Sequence, residues 1–196
     1  MPDTRPRFFL DVGSPYAYLA GARIESLLGP VTWVPVLLGG IFRATGRASW
    51  AQVGDRAGGI GEIERRAAAL GLPPLRWPDP WPNDGLLAMR TATWADVQDP
   101  DDGARRYARE AMRIQFAEGR PLSDPGNVAA ALDAAGFDPG AGLAGAASDP
   151  VKQRLRATTD AALAEGVFGV PTVAIGPFRL WGDDRLEDAA AILRAG

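Results

Sequence analysis

Cysteine and histidine are both missing from this sequence of 196 residues. Without cysteine, the chain can form no disulfide, no thiolate metal site and no dithiol redox cycle of its own. Without histidine, it lacks the commonest general base, so a Ser-His-Asp triad is excluded. Any sulfur chemistry carried out here would need a sulfur atom that a ligand supplies.

Long hydrophobic runs and a basic surplus are also missing. No apolar stretch approaches the roughly 18 residues of a membrane span, and the first residues do not resemble a signal peptide. The net charge is -3 and Lys152 is the single lysine, which gives no electrostatic reason to expect nucleic acid or an anionic membrane as a partner. We therefore expect a cytoplasmic protein that binds no metal, nucleic acid or membrane.

The first predicted elements lie on either side of Ser14. Residues 7–12 are typical of a buried strand, and Pro15 suits the first position of a helix whose apolar residues recur at helical spacing until Gly29-Pro30. Residues 31–38 predict a second strand, and Pro35 favours a position at the edge of a sheet.

The middle of the chain predicts helices only. Between Gly39 and about Asp149 there is no convincing strand pattern, and the helical patterns are interrupted by glycine and proline. Two aspartate-proline pairs, Asp124-Pro125 and Asp149-Pro150, are typical of a helix N-cap followed by the first turn.

Strands return near the C-terminus. Residues 169–176 and 178–182 predict a hairpin, and the spacing of Asp184 and Glu187 predicts a capping box that opens a last helix. This order of elements predicts an α/β protein with a thioredoxin fold and an inserted all-helical subdomain. We predict a discontinuous thioredoxin-like domain of residues 1–38 and 150–196, and an insertion of residues 39–149.

Ser14 has two interpretations from the residues alone. A serine before a helix usually accepts a hydrogen bond from a backbone N–H as an N-cap. Alternatively, the exposed N–H groups of a helix start, together with a hydroxyl that donates to sulfur, would favour the thiolate form of a bound thiol. With no histidine to activate it, Ser14 is poorly suited to be a nucleophile itself.

Three stretches, "DVGSPYAYLA", "GVFGVPT" and "LWGDDRL", carry a family resemblance. The chain resembles the kappa-class glutathione transferases and the 2-hydroxychromene-2-carboxylate isomerases, which are thioredoxin-fold proteins of the DsbA type. The segments "PVLLGGIFRATG" and "PWPNDGLLAMR" look more like the isomerase branch. The matches are spread from end to end of the chain, in the same order as in the family.

The resemblance implies a site that binds glutathione or another small thiol beside a small aromatic substrate. Ser14 would hold the sulfur, and the backbone before a cis-proline, Val170-Pro171, would pair with the thiol compound like an added strand. The other predicted site residues are Asp183, Asp184 and Arg47 for the thiol cofactor, and Tyr16, Trp81 and Asp84 for the substrate; of the two acids, Asp184 matches the aspartate of the family.

The implied activity is a thiol-dependent cis-trans isomerisation of an aromatic enone or chromene carboxylate, in a homodimer. The alternatives are a kappa-type transferase, which conjugates the thiol to an electrophile, and a non-catalytic thioredoxin-fold binding protein. Asp183, Arg47 and the stretch "GDRAGGIGEIE" depart from the family pattern, and the departures around Arg47 and Gly58 favour the binding protein somewhat.

Overall fold

A mixed sheet of four strands forms the centre of the molecule in the computed structural model, which describes residues 5–195. The strands are β1 (Arg7–Leu10), β2 (Thr32–Pro35), β3 (Thr172–Ile175) and β4 (Phe178–Trp181), in the order β2-β1-β3-β4. Strand β1 pairs parallel with β2 and antiparallel with β3, and β3 and β4 form an antiparallel hairpin. The predicted strands and hairpin are confirmed, and Pro35 does lie on an edge strand, where its missing N–H costs no ladder bond.

The first helical stretch is divided, although its pattern predicts one helix. Helix α1 (Pro15–Gly21) ends before Arg23, and α2 (Ile24–Leu28) ends at Gly29, whose φ is 72°. Gly21 packs closely on Trp33, because a Cβ at Gly21 would lie only 2.9 Å from the indole ring. The apolar periodicity of the sequence thus continues across a break between two helices.

Helices fill the chain between β2 and β3, and no strand is found there, as predicted. They are α3 (Leu38–Thr45), α4 (Trp50–Val53), α5 (Arg56–Ala69), α6 (Leu86–Gln98), α7 (Gly103–Phe116), α8 (Pro125–Ala134), α9 (Pro139–Ala146) and α10 (Asp149–Ala164). After β4 follow a 3-10 turn (Asp183–Arg185) and α11 (Leu186–Ala195).

The three predicted helices are present and α10 does begin at Asp149, but two of the three predicted caps are wrong. Asp124 does cap α8 through the N–H of Gly126, but Ser148 is the N-cap of α10, and the Asp149 carboxylate instead accepts from Lys152 at 3.0 Å. Asp184 forms no capping box, because it lies inside the 3-10 turn, and the Glu187 carboxylate accepts from Arg23.

The sheet has hydrophobic residues packed on both faces. Phe8 and Leu10 of β1 belong to a large core cluster with α1, α6, α7 and α8, whereas Phe9 belongs to a smaller cluster with α3 and α10. Such two-sided burial is typical of a central strand in an α/β protein. Among residues 5–195, no helix is both long enough and apolar enough to span a membrane.

Candidate active site

A cavity of about 570 Å³ opens where β1 passes into α1. This volume lies within the range of ordinary ligand pockets. One side is formed by the Ser14 turn and by the loop before β3, and the other by α3, α4 and the loop before α6. The thioredoxin-like strands and the helices that follow β2 therefore both contribute to it.

Ser14 lines this cavity and is the N-cap of α1. Its Oγ accepts a hydrogen bond from the Ala17 N–H at 3.3 Å, and the side chain is buried. Its own hydroxyl proton meets no acceptor in residues 5–195, and the N–H of Tyr16 has no acceptor there either. The capping interpretation is thus confirmed, and the hydroxyl still has a proton to donate toward the cavity. Helix α1 is only seven residues long, so its dipole adds less than a long helix would.

The Val170-Pro171 peptide is cis, as predicted, and Val170 lines the cavity. The Pro171 carbonyl accepts from the Gly182 N–H at 2.9 Å, which joins this loop to the end of β4. The main-chain N–H and C=O of Val170 form no hydrogen bond within the described chain. This short backbone segment therefore has both groups open to an extended ligand.

Asp183 and Asp184 lie outside the cavity lining, behind Tyr16. Asp183 is buried and its Oδ1 is 3.1 Å from Arg66 Nη1, whereas Asp184 is exposed and 3.7 Å from Arg66 Nη2. Burial raises the pKa of Asp183, and the Arg66 guanidinium opposes that rise. Arg66, which the sequence analysis did not select, thus lies between both acids and the ring of Tyr16, 5.8 Å from the ring centroid.

Tyr16, Trp81 and Asp84 all line the cavity. Trp81 is 5 % exposed, and its indole N–H has no partner among the described residues. Trp50, which the sequence analysis missed, lies between the other two aromatic rings, with centroids 6.3 Å from Tyr16 and 5.6 Å from Trp81. Asp84 accepts from the Leu86 N–H at 2.9 Å and so fixes the start of α6.

Gly59 and Arg56, both in the stretch "GDRAGGIGEIE", support this aromatic wall. A Cβ at Gly59 would lie 2.2 Å from the Trp50 ring, so only glycine permits α5 to approach it. Arg56 donates to the Trp81 carbonyl and thereby holds the loop that carries this tryptophan. The departures from the family pattern at these positions thus have a structural role.

Arg47 lies at the mouth of the cavity. Its guanidinium carbon is 5.2 Å from the ring centroids of both Phe168 and Trp181, which are 42 % and 46 % exposed. In residues 5–195 neither Arg47 nor Arg43, which also lines the cavity, forms an ion pair. This end of the cavity therefore combines two exposed rings with two guanidinium groups that have no carboxylate partner.

Asp11 is a further cavity residue that sequence reasoning missed. It is 7 % exposed, and burial raises its pKa, while hydrogen bonds from the Leu38 and Gly13 N–H groups oppose the rise. A carboxylate directly after a buried strand was the available signal. No group of three acidic, histidine or cysteine residues suited to a metal occurs in the described part of the chain.

A thioredoxin-fold sheet with a serine at the start of α1 and a cis-proline opposite defines a thioredoxin-like protein of the DsbA type. The family model of the DSBA-like thioredoxin domain matches residues 7–194. The chain belongs to this family.

Solved structures share the fold at low sequence identity. A 2-hydroxychromene-2-carboxylate isomerase is similar with a TM-score of 0.85 and 22 % identity, over 97 % of this chain and 94 % of the other. A probable DsbA oxidoreductase from Streptomyces coelicolor is similar with a TM-score of 0.74 and 20 % identity, over 97 % of this chain and 90 % of the other. The cytosolic disulfide reductase DsbM from Pseudomonas aeruginosa is similar with a TM-score of 0.61 and 15 % identity, over 97 % of each chain. No curated protein matches by sequence.

Proposed function

We propose that this protein is a thiol-dependent isomerase of an aromatic enone or chromene carboxylate, with glutathione or another small thiol as cofactor. The observation that carries the proposal is the cavity at Ser14, where a buried hydroxyl with a free proton faces space for a ligand in a chain that has no sulfur nucleophile of its own. A dithiol oxidoreductase activity is excluded for these residues, because cysteine is absent.

The residues around Ser14 fit a thiol. The hydroxyl proton and the free N–H of Tyr16 are two donors that would stabilise a thiolate, and they cost little reorganisation because α1 already holds them in place. The open N–H and C=O of Val170 would pair with the peptide-like part of the cofactor. When bound, the thiol supplies a sulfur nucleophile that adds to the conjugated carbon and leaves again after rotation.

The remaining wall suits the substrate. Tyr16, Trp50 and Trp81 would pack against a planar ring, and Arg47 would form a bidentate contact with a carboxylate, since it has no acidic partner in the described chain. Of the two predicted acids, Asp183 and Asp184, only Asp184 is exposed. It is therefore the more accessible one for the amino group of glutathione. Asp183 is paired with Arg66 and would act by orienting it.

Product analysis tests the proposal. The protein is incubated with glutathione and the cis form of a 2-hydroxybenzylidene keto acid or its cyclic hemiketal, and the mixture is followed by liquid chromatography with mass detection. We expect an isomer of unchanged mass, free thiol that is not consumed, and no reaction when thiol is omitted. A stable conjugate of higher mass would instead support a kappa-type transferase.

Thiol binding is measured separately, by thermal or chemical unfolding with added glutathione, cysteine or other small thiols. At about 100 times the dissociation constant, a ligand that binds only the folded state adds about 2.7 kcal/mol of stability. If no small thiol stabilises the protein, the isomerase proposal is wrong, and the non-catalytic binding protein becomes the better explanation.

A further inference from the structure

Asp11 connects the two sides of the cavity. Its Oδ1 accepts from the Gly13 N–H at 2.8 Å, and its Oδ2 accepts from the Leu38 N–H at 2.9 Å. Gly13 precedes Ser14, and Leu38 is the first residue of α3. The backbone carbonyl of Asp11 also accepts from the Ser14 N–H at 3.0 Å, so one residue contacts both the serine turn and the opposite helix.

The environment of Asp11 is unusual for an acidic residue. It is 93 % buried, and no arginine or lysine of residues 5–195 pairs with it. A buried carboxylate without a cation costs stability, and two backbone donors offset only part of that cost. The bond from Gly13 is all that a local turn would need. The second bond, from Leu38 on the other side of the cavity, is therefore additional to a turn motif.

Helix α3 carries residues that face the cavity from the other side. Phe42 and Arg43 lie on it, and Arg47 follows directly after its C-cap Gly46. The start of α3 is held by a second side chain as well, because the Leu37 N–H donates to Thr159 Oγ1 at 3.0 Å. Thr159 belongs to α10 and does not reach the Ser14 turn, so it holds α3 without linking it to the serine.

We propose that Asp11 is a positioning residue that fixes the spacing between the Ser14 turn and α3, and thereby aligns the bound thiol with the substrate. The alignment rests on the proposed function, whereas the link between the two loops does not. Asp11 acts through the backbone of Gly13 and Leu38, and needs no contact with either reactant.

Asp11→Asn tests the link with little change of shape. Asparagine has a single acceptor oxygen, and its NH2 group would face an N–H donor, so one of the two bonds is lost. Because the side chain then no longer joins the two segments, each loses the support of the other, and we expect hydrogen exchange to become faster in both, residues 12–17 and residues 36–42. Asp138→Asn is the matched control, because Asp138 accepts one backbone N–H at α9, outside the cavity, and should leave both segments unchanged. Faster exchange in one segment alone, or in neither, would overturn the link.

Steady-state kinetics test the alignment. A misplacement of about 1 Å costs on the order of 100-fold in rate, so Asp11→Asn should lower kcat by roughly 10- to 100-fold, with the dissociation constant of glutathione changed by less than about 3-fold. Asp138→Asn should retain full kcat. Unchanged kcat in Asp11→Asn, or an equal loss of thiol affinity, would contradict the alignment.

Thr159→Val separates positioning from a role of the Asp11 charge. Valine keeps the shape of threonine but removes the acceptor for the Leu37 N–H, which loosens α3 and leaves the carboxylate intact. We expect a smaller loss of kcat in the same direction. A normal kcat in Thr159→Val beside a large loss in Asp11→Asn would show that the carboxylate acts on the reaction directly, and would overturn positioning. If the unmodified protein shows no thiol-dependent turnover, the alignment fails with the proposed function, and the exchange result still decides the link.

Discussion

The two sides of the cavity are held in place by different interactions. On the thioredoxin side, Ser14 and Val170 lie in short turns of the backbone. These turns connect closely to strands β1 and β3 of the sheet. On the opposite side, the wall consists of side chains from α3, α4 and the loop before α6, in contact through rings and guanidinium groups. Backbone turns fix the position of a single atom well, whereas a wall of rings can fit differently shaped ligands. In the proposed enzyme, the first side would therefore determine the chemistry and the second the substrate.

Ser14→Ala, on the thioredoxin side, should lower turnover more than any of the other substitutions. Loss of one preorganised donor typically lowers kcat by roughly 100- to 1000-fold, whereas loss of the cap costs about 0.5 to 2 kcal/mol in the free energy of unfolding. Turnover and urea unfolding of the same preparation measure the two effects. Asp124→Ala, which removes the side-chain cap of α8 outside the cavity, should cost similar stability and retain turnover. Normal turnover in Ser14→Ala would remove Ser14 from the mechanism.

Sequence and structure agree best on the thioredoxin side. The strands, Ser14 as N-cap and the cis form of Val170-Pro171 follow from local patterns and from a resemblance carried by contiguous motifs. Each of these features depends on a few neighbouring residues, so a short stretch of sequence contains its signal.

The opposite side, formed by α3, α4 and the loop before α6, was predicted less completely, because its members are far apart in the chain. Trp50 is an ordinary apolar residue in the sequence. Only the fold brings Phe168 and Trp181, from the loop before β3 and from β4, to the same cavity end as Arg47. Arg66 gave no signal either, since its partner Asp183 lies more than one hundred residues away. The division of the first helix at Arg23 was also missed, because the apolar spacing of the sequence continues across it.

Arg66→Met should test the ion pair that joins the two regions, since α5 and the 3-10 turn meet there. It leaves Asp183 buried without its cation, and because the Arg66 side chain is 27 % exposed we expect a loss of about 1 to 3 kcal/mol at neutral pH. Urea unfolding across pH measures it. Arg156→Met, at an exposed pair with Asp160, should change stability little.

The pH dependence of this loss has a definite sign. Burial raises the pKa of Asp183, and Arg66 lowers it, so removing Arg66 raises the pKa further. A carboxyl whose pKa is raised on folding stabilises the fold below its unfolded pKa and loses this contribution as pH rises through the folded value. The loss in the free energy of unfolding caused by Arg66→Met should therefore become smaller as pH falls toward about 4. Adding Asp183→Asn to this variant should restore its stability at neutral pH. If the loss in the free energy of unfolding is the same at neutral pH and at about pH 4, Arg66 stabilises the fold by packing.

Trp181→Ala should have the smallest effect, and it tests whether the two sides of the cavity bind different ligands. An aromatic contact is worth about 0.5 to 1.5 kcal/mol, so the KM of an aromatic substrate should rise by up to about 10-fold, with kcat within about 2-fold. Phe178→Ala is the matched control, because Phe178 is on the same strand and similarly exposed, yet lies outside the cavity lining. Trp181 also packs on Gly169, where a Cβ would lie 2.6 Å from its indole nitrogen, so it touches the loop before Val170. If the affinity for thiol falls as much as the affinity for substrate, Trp181 supports the thiol site, and the assignment of thiol and substrate to opposite sides is wrong. If only the KM of the substrate changes, the two sides bind their ligands independently.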